Sequence, residues 1–186
     1  MLDMSGRAPS HKRQRFVMVL GVVLPIVAGL LYSAVWRASP PDKAGAAVGG
    51  LAPDFTLTDI SGRQLSLRQL RGRKVLIAVW ASWCPPCRAE LTALQRLHDS
   101  PAVDNLTVLA VNAGETQEQI AAFVLQQQLS LPVLLDTDNG LQQRYGVYQL
   151  PLAFLVDPQG RIVARHLGVR DWSTAEVIAE LNRMGK

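Results

Sequence analysis

The sequence predicts an α/β fold in which a central mixed β-sheet is flanked by helices, with an added N-terminal β-hairpin and one N-terminal transmembrane helix. Apolar runs typical of buried strands, at 75–80 and 106–111, alternate with helical patterns, which favours a sheet covered by helices on both faces. A tight turn at 157–160 joins the last two strands, so part of the sheet must be antiparallel. A charge-free segment at 16–36 predicts the membrane span.

The membrane prediction depends on the length of that segment and on its flanks. At about 1.5 Å per residue, 16–36 spans roughly 30 Å, the thickness of the hydrocarbon core of a bilayer. Basic residues at 12–15 precede it, and Tyr32 and Trp36 lie near its far end, which predicts a cytoplasmic N-terminus. A cleaved signal peptide is the alternative, but its apolar region is normally about 7–15 residues long. We therefore expect an uncleaved, single-pass signal anchor.

Charge and composition divide the chain into four predicted segments: a cytoplasmic basic segment at 1–15, the anchor at 16–36, a Pro/Gly/Ala-rich linker at 37–50 and a folded domain at 51–186. The formal net charge is +4, and the first segment alone carries four basic residues and one acidic residue. The rest of the chain is nearly neutral, which argues against a nucleic-acid partner. Two cysteines are too few for a structural disulfide framework.

The elements of the folded domain follow from periodicity, turn residues and capping signals. In chain order they are hairpin strands at 55–58 and 65–67, a strand at 75–80, a helix from 85 to about 98, a strand at 106–111, a helix at 116–128, a short strand at 131–135, a helix at 139–145 that ends at Gly146, strands at 152–156 and 161–166, and a last helix with a capping box between Ser173 and Glu176.

The two cysteines lie in the stretch Trp83-Cys84-Pro85-Pro86-Cys87, directly after a buried strand and at the start of a helix. Free N–H groups and the helix dipole favour a thiolate there, and the thiolate is the form that attacks disulfides. The spacing therefore predicts an exposed, nucleophilic Cys84 and a more buried, resolving Cys87. Two small core residues are the alternative. A metal site would require further ligands, so we expect neither metal nor cofactor.

The residues around the cysteines have separate expected roles. Pro85 and Pro86 suit the first helical turn, where a backbone N–H has no partner. Pro86 also removes a donor that would otherwise stabilise the thiolate, so we hypothesise that the dipeptide tunes the reduction potential. Trp83 is expected at the surface of the site and Trp80 in the core.

Three polar residues and one proline are further candidates for the site. Glu90 lies three residues after Cys87, and a carboxylate there could exchange a proton with the thiol, or it could be a solvated charge in the first helical turn. Glu115 is expected to be a helix-start charge and His166 a structural strand residue. Pro151 opens a strand, where proline loses no ladder bond, and trans is its commoner state.

These motifs resemble the thioredoxin superfamily and, within it, the membrane-anchored TlpA/ResA-like branch that includes the reductants of cytochrome c maturation. The resemblance covers about 51–184. It rests on APDFTL at 52–57, VWASWCPPCRAE at 79–90, VNAGE at 111–115, LLDTD at 134–138 and GVYQLPLAFLVDPQGRIV at 146–163.

The resemblance implies a thioredoxin-like fold with Cys84 as nucleophile, Cys87 as resolving thiol and Glu90 as the functional glutamate. It also implies that Pro151 is the cis-proline facing the disulfide. The substrate would then contact Trp83, Pro85, Pro86, Leu150 and Pro151. Leu150 departs from the branch, where a threonine or a small residue often precedes the cis-proline, and this departure bears on the choice of substrate.

In this branch the protein acts as a specific dithiol reductant on the periplasmic side of the bacterial inner membrane. The resemblance implies re-reduction by a membrane electron donor of the DsbD/CcdA type. It implies as substrates the paired thiols of apocytochrome c or the copper-site proteins of respiratory oxidases, and the sequence does not choose between them.

Two other classes remain as alternatives. A Sco-like copper chaperone uses two cysteines and a later histidine, for which His166 is a candidate, but that class spaces its cysteines one residue wider. A peroxiredoxin-like peroxidase shares the APDFTL-like opening, but its P-x-x-x-T-x-x-C context is absent from this sequence.

Overall fold

The computed structural model describes residues 46–184. The predicted cytoplasmic segment at 1–15 and the predicted anchor at 16–36 lie outside these residues. No helix within 46–184 is both long enough and apolar enough to cross a membrane.

The described part of the chain folds as one mixed sheet with helices on both faces, as predicted. The strands are β1 (Thr56–Asp59), β2 (Gln64–Ser66), β3 (Lys74–Trp80), β4 (Leu106–Ala113), β5 (Val133–Asp136), β6 (Leu152–Val156) and β7 (Ile162–Leu167). The helices are α1 (Pro85–Asp99), α2 (Gln117–Gln127), α3 (Gly140–Tyr145) and α4 (Ala175–Arg183), with a 3-10 helix at Leu67–Leu70 that the sequence reasoning missed.

The sheet has the strand order β2-β1-β5-β4-β3-β6-β7. Strands β3, β4 and β5 are parallel, and β1 and β6 run antiparallel to their neighbours β5 and β3. The closing pair β6–β7 is antiparallel, as the turn at 157–160 predicts, and β1 and β2 also pair antiparallel. The carboxyl ends of the central parallel strands therefore meet at one edge, where sites in α/β sheets are usually built.

The sheet buries an apolar cluster on each face. Leu76, Ala78 and Trp80 of β3 pack with the apolar residues of α1, α2 and α4 on one face. The alternate residues of β3 pack on the other face with α3 and the N-terminal hairpin. Because successive strand residues point to opposite faces, one continuous apolar run such as VLIAVW serves both clusters.

The sequence prediction about the cap of the last helix is wrong. The last helix is capped by Thr174, whose hydroxyl accepts from Val177 N at 3.4 Å, while the Ser173 hydroxyl donates to Asp171 at 2.6 Å. The residues just before 51 also contact the folded domain. Gly49 N donates to Ile162 O at 2.7 Å, so 46–50 of the predicted linker belong to the folded part.

Candidate active site

The two cysteines form a disulfide at the N-terminus of α1. The Sγ atoms are 2.05 Å apart, and Cys84 is the N-cap residue, whose sulfur accepts from Cys87 N at 3.3 Å. Pro85 and Pro86 occupy the first turn, where no backbone donor is needed. The local sequence therefore places Cys84 where free N–H groups favour a negative sulfur.

Cys84 lies at the floor of a cleft rather than on an open surface. Only 5% of Cys84 is exposed, so the prediction that Cys84 is exposed is wrong. Cys87 is 1% exposed and is therefore the more buried of the two cysteines, as expected. Cys84 lines a cleft of about 490 Å³, and the prolines that follow it line the same cleft. A reaction partner must therefore enter the cleft to reach Cys84.

The cleft is lined by aromatic, aliphatic and amide groups from three parts of the chain. Trp83 is 68% exposed and Tyr148 87%, so two aromatic rings lie open to solvent beside the disulfide. Amide side chains come from Asn139, Gln142 and Gln149. None of the described residues that line the cleft is charged. Trp83 occupies the predicted surface position, whereas sequence reasoning missed Tyr148 and the amides.

The loop that follows α3 supplies the remaining wall. The Leu150–Pro151 peptide bond is cis, as the resemblance implied. Leu150 lines the cleft, whereas Pro151 is buried and its carbonyl accepts from Gly168 N at 2.9 Å. Leu150 is therefore part of the cleft surface, whereas Pro151 supports that surface from the interior.

Glu90 is buried on the same face of α1 as Cys87. Only 3% of it is exposed, so it is not the solvated charge that was the alternative. Its Oε1 accepts from Trp172 Nε1 at 2.7 Å and from Arg170 N at 3.2 Å. Burial raises the pKa of Glu90, and the two hydrogen bonds oppose that shift because they stabilise the carboxylate.

Trp172 and Arg170 are polar partners of the site that sequence reasoning missed. Both lie beyond β7, 80 or more residues from Glu90, so no local spacing could indicate them. The available signal was chemical, because a buried tryptophan N–H needs an acceptor. The Arg170 guanidinium stacks over Trp172 at 5.0 Å and also binds Glu180.

We predict that Trp172→Phe raises the pKa of Glu90 further. The substitution keeps the ring but removes the N–H that stabilises the carboxylate. A side-chain carbon NMR titration of Glu90 measures this. Trp83→Phe is the control, because Trp83 is exposed and makes no hydrogen bond to Glu90. An unchanged titration in Trp172→Phe would contradict the assigned role.

Glu115 is not a helix-start charge, contrary to the prediction. Its carboxylate accepts from Ser82 N at 2.7 Å, from the Ser82 hydroxyl and from Asn112 Nδ2 at 2.8 Å. Trp80 pairs with Asn112 across the parallel strands β3 and β4, so the turns that follow these strands meet. Glu115 therefore fixes the segment that leads into Cys84.

We predict that Glu115→Gln destabilises the domain by about 1–2 kcal/mol, because the amide has one acceptor oxygen where the carboxylate uses two. The free energy of unfolding in denaturant measures the change. Glu118→Gln, at an exposed position in the first turn of α2, is the matched control. Equal losses in the two variants would contradict a role for Glu115 in holding the motif.

His166 lies on β7 among groups that occupy its ring. Both ring nitrogens contact Arg170 Nη1, Nε2 lies 3.7 Å from Glu180, and the ring packs edge-on against Trp172. Burial and the neighbouring Arg170 lower the pKa of His166. Within 46–184, no group of three or more His, Cys, Asp or Glu residues could hold a metal ion.

A mixed sheet with a Cys-x-x-Cys disulfide at a helix N-terminus and a cis-proline loop defines a thioredoxin-like thiol-disulfide oxidoreductase. The chain belongs to the AhpC/TSA family, whose profile matches 48–165, and within it to the ResA-like thiol-disulfide oxidoreductases.

Curated relatives and solved structures support this assignment. The chain is 34% identical to the thiol-disulfide oxidoreductase ResA of Geobacillus thermodenitrificans, over 81% of this chain and 86% of the relative. It is 30% identical to ResA of Bacillus subtilis, over 82% of this chain and 84% of the relative. StoA from Bacillus subtilis superposes with a TM-score of 0.61 at 29% identity, over 69% of this chain and 96% of StoA. The thioredoxin domain of a Bacteroides vulgatus thiol-disulfide oxidoreductase superposes with a TM-score of 0.62 at 27% identity, over 68% of this chain and 93% of that domain.

Proposed function

We propose that this oxidoreductase is a membrane-anchored, extracytoplasmic dithiol reductant that uses its Cys-Pro-Pro-Cys motif on protein disulfides. The single observation that carries the proposal is the position of the Cys84–Cys87 pair, at a helix N-terminus and on the floor of an uncharged cleft. The helix N-terminus favours the thiolate, and the cleft offers a surface on which a polypeptide can lie.

The proposed reaction transfers two electrons and two protons from the dithiol to the substrate. The Cys84 thiolate attacks one sulfur of the substrate disulfide, that S–S bond breaks, and the departing substrate sulfur takes up a proton. Cys87 then loses its proton and attacks the Cys84 sulfur, which releases the second substrate sulfur as a thiol and closes the Cys84–Cys87 disulfide.

Glu90 is the proposed group that exchanges a proton during the second step. It is buried on the cysteine-bearing face of α1, and its raised pKa brings it nearer to the pH at which proton exchange is efficient. Trp172 and Arg170 hold its Oε1, which leaves Oε2 as the oxygen for the transferred proton.

The lining of the cleft favours an uncharged stretch of polypeptide that presents a disulfide. Trp83 and Tyr148 offer exposed rings for stacking, while the amides of Asn139, Gln142 and Gln149 can bond a peptide backbone. We propose apocytochrome c or a copper-site protein as the substrate. Both classes carry paired cysteines that must be reduced before the cofactor binds.

The proposed location is the bacterial inner membrane, with one span at 16–36 and the folded domain in the periplasm. The support is the charge-free length of this segment and the basic residues before it. An oxidising compartment would return the pair to the disulfide, so a DsbD/CcdA-type membrane donor is proposed to re-reduce it.

The test is a Cys87→Ala variant of the full chain expressed in its native host. Without Cys87 the mixed disulfide at Cys84 cannot be resolved, and the captured partner is identified by mass spectrometry after non-reducing purification. Capture of apocytochrome c would identify haem attachment as the process served, and capture of a copper protein would identify oxidase assembly.

The matched control is the double variant Cys84→Ala/Cys87→Ala, which should capture nothing. A Cys87→Ala variant that also captures nothing, in a protein with a strongly oxidising reduction potential, would contradict the reductant proposal. A domain found on the cytoplasmic side by protease accessibility would contradict the proposed location.

A further inference from the structure

The end of the sheet farthest from the cleft carries a cluster of basic side chains. This cluster, which we call the basic end, consists of Arg71, Arg73, Lys74 and Arg161, at the start of β3 and in the turn before β7. Cys84 follows the other end of β3. The seven residues of this strand rise by about 3.3 Å each, so roughly 20 Å separates Cys84 from the basic end. The basic end and the cleft therefore lie at opposite ends of the domain.

Backbone carbonyls hold the arginines of the basic end. The Arg71 guanidinium donates to the carbonyl of Gln159 and lies against Gly160, where a Cβ atom would overlap it. Arg161 Nη1 donates to Gly49 O at 3.3 Å. In the same way, Arg73 Nη2 donates to a carbonyl at the start of β4 at 3.2 Å. These bonds fix the side chains without neutralising their charge.

The charge of the basic end is only partly balanced. All three arginines are exposed, and none forms an ion pair with a carboxylate in the described part of the chain. Two acidic residues share this end, Asp104 and Asp157, and the Asp157 carboxylate accepts from the backbone N of Arg161. The basic end thus has a positive surface, whereas the cleft at the other end has no charged lining.

The N-terminal part of the chain joins the domain beside the basic end. Gly49 N donates to Ile162 O at 2.7 Å, and Ile162 N donates to Gly50 O at 2.9 Å. Val48 and Leu51, on either side of this contact, are 58% and 62% exposed. Nine residues, 37–45, separate the charge-free segment at 16–36 from residue 46, and nine extended residues reach at most about 30 Å.

We infer that the basic end docks on the anionic surface of a bilayer, with Val48 and Leu51 entering the headgroup region, so that the cleft is turned away from the lipid. The inference rests on the proposed membrane attachment in one respect, because the anchor supplies the proximity. The chemistry that recognises the partner is the phosphate of anionic lipid headgroups, which arginine binds well.

The expected effect on orientation is large for so small a cluster. Each arginine close to an anionic leaflet favours the docked state by roughly fivefold, so three together favour it on the order of a hundredfold. Salt weakens this attraction because the Debye length falls to about 3 Å at molar ionic strength. A docked domain would present its disulfide to partners in the aqueous compartment.

The test uses the full chain in lipid nanodiscs made of phosphatidylcholine, with or without phosphatidylglycerol. Hydrogen exchange is followed by mass spectrometry at 71–74, 104–106 and 157–161, and at 147–150 of the cleft. We expect the first three segments to be protected in the anionic discs only, and the cleft segment to exchange equally in both. High salt should remove the protection.

Three variants separate charge from structure. Replacing Arg71, Arg73 and Arg161 with serine should abolish the protection, and replacing all three with lysine should retain it. The matched control replaces three exposed arginines elsewhere with serine, namely Arg88, Arg144 and Arg165. If the serine variant of the basic end fails to fold, the salt dependence of the unmodified chain still decides the question.

Two outcomes would overturn the inference: equal exchange at the basic end in neutral and anionic discs, or equal loss of protection in the control triple variant. Failure of the membrane attachment is a separate observation. A chain without an anchor would not elute with neutral discs, and salt-sensitive elution with anionic discs would then report the basic end only where the serine variant of the basic end loses it, because the segment 1–15 is also basic.

Discussion

Replacing Cys84 with serine is expected to abolish the reduction of protein disulfides and leave only the uncatalysed background. A serine hydroxyl does not form a disulfide, so neither the first attack nor the mixed disulfide is possible. The fold should be retained, since the change replaces one atom at a helix N-cap, where serine is a favoured residue. The measurement is insulin reduction with dithiothreitol as the electron source.

The companion variant Cys87→Ala separates the two chemical steps. Cys84 should still attack, so a stoichiometric mixed disulfide accumulates, whereas its resolution becomes intermolecular. Well-oriented intramolecular reactions reach effective molarities of about 10⁵ M, so resolution by millimolar external thiol should slow by up to about eight orders of magnitude. Turnover in Cys84→Ser equal to that of the unmodified protein would show that another group is the nucleophile.

Replacing Glu90 with glutamine is expected to slow the resolving step by about a hundredfold, the lower range for loss of a positioned proton-transfer group. The amide oxygen can still accept from Trp172, so the hydrogen-bonded position is retained while the titratable proton is lost. The rate of mixed-disulfide resolution, followed by stopped-flow fluorescence as a function of pH, measures this. Glu176→Gln, on an exposed turn of α4, is the control.

The same substitution should change how stability depends on pH. Because burial raises the pKa of Glu90 above 4.5, the folded protein holds this proton at a pH where the unfolded chain has lost it. The stability of the unmodified protein therefore falls as the pH rises from 4.5 through the raised pKa. Glu90→Gln lacks this loss, so its stability relative to the unmodified protein should increase as the pH rises from 4.5 through the raised pKa of Glu90. If the stabilities of Glu90→Gln and of the unmodified protein depend on pH in the same way, the raised pKa of the buried Glu90 carboxylate is contradicted.

The sequence predicted those parts of the site that are local in the chain. The strand before Cys84, the helix after it and the two prolines at its start form one continuous stretch, so periodicity and capping rules apply directly. The antiparallel pairing of the closing strands followed from one turn for the same reason. The burial of Cys84 could not be predicted locally, because the facing wall of the cleft comes from 139–150.

Glu115 and Glu90 each bind partners that lie far away in the chain. Glu115 looked like a helix-start charge because its bonds to Ser82 depend on the parallel alignment of β3 and β4, which spacing along the chain does not contain. Glu90 was assigned to the site by resemblance, but its contacts with Trp172 and Arg170 come from a segment 80 residues away. Sequence patterns predict elements well, whereas the pairing of distant loops needs the assembled sheet.

The construction of α3 separates the wall of the cleft from the sulfur chemistry. This six-residue helix is bounded by Asn139 and Gly146, both in the left-handed conformation, and the buried carboxylate of Asp136 binds its first N–H groups at 2.9 Å. Its position is thus set from β5, independently of α1. Exchanges of the cleft-lining side chains Gln142, Tyr148 and Gln149 can therefore alter which polypeptide is accepted while the cysteines, Glu90 and their hydrogen bonds stay as they are. The wall of the cleft and the catalytic residues are thus positioned by different elements, so that substitutions can change the choice of partner without changing the catalytic residues.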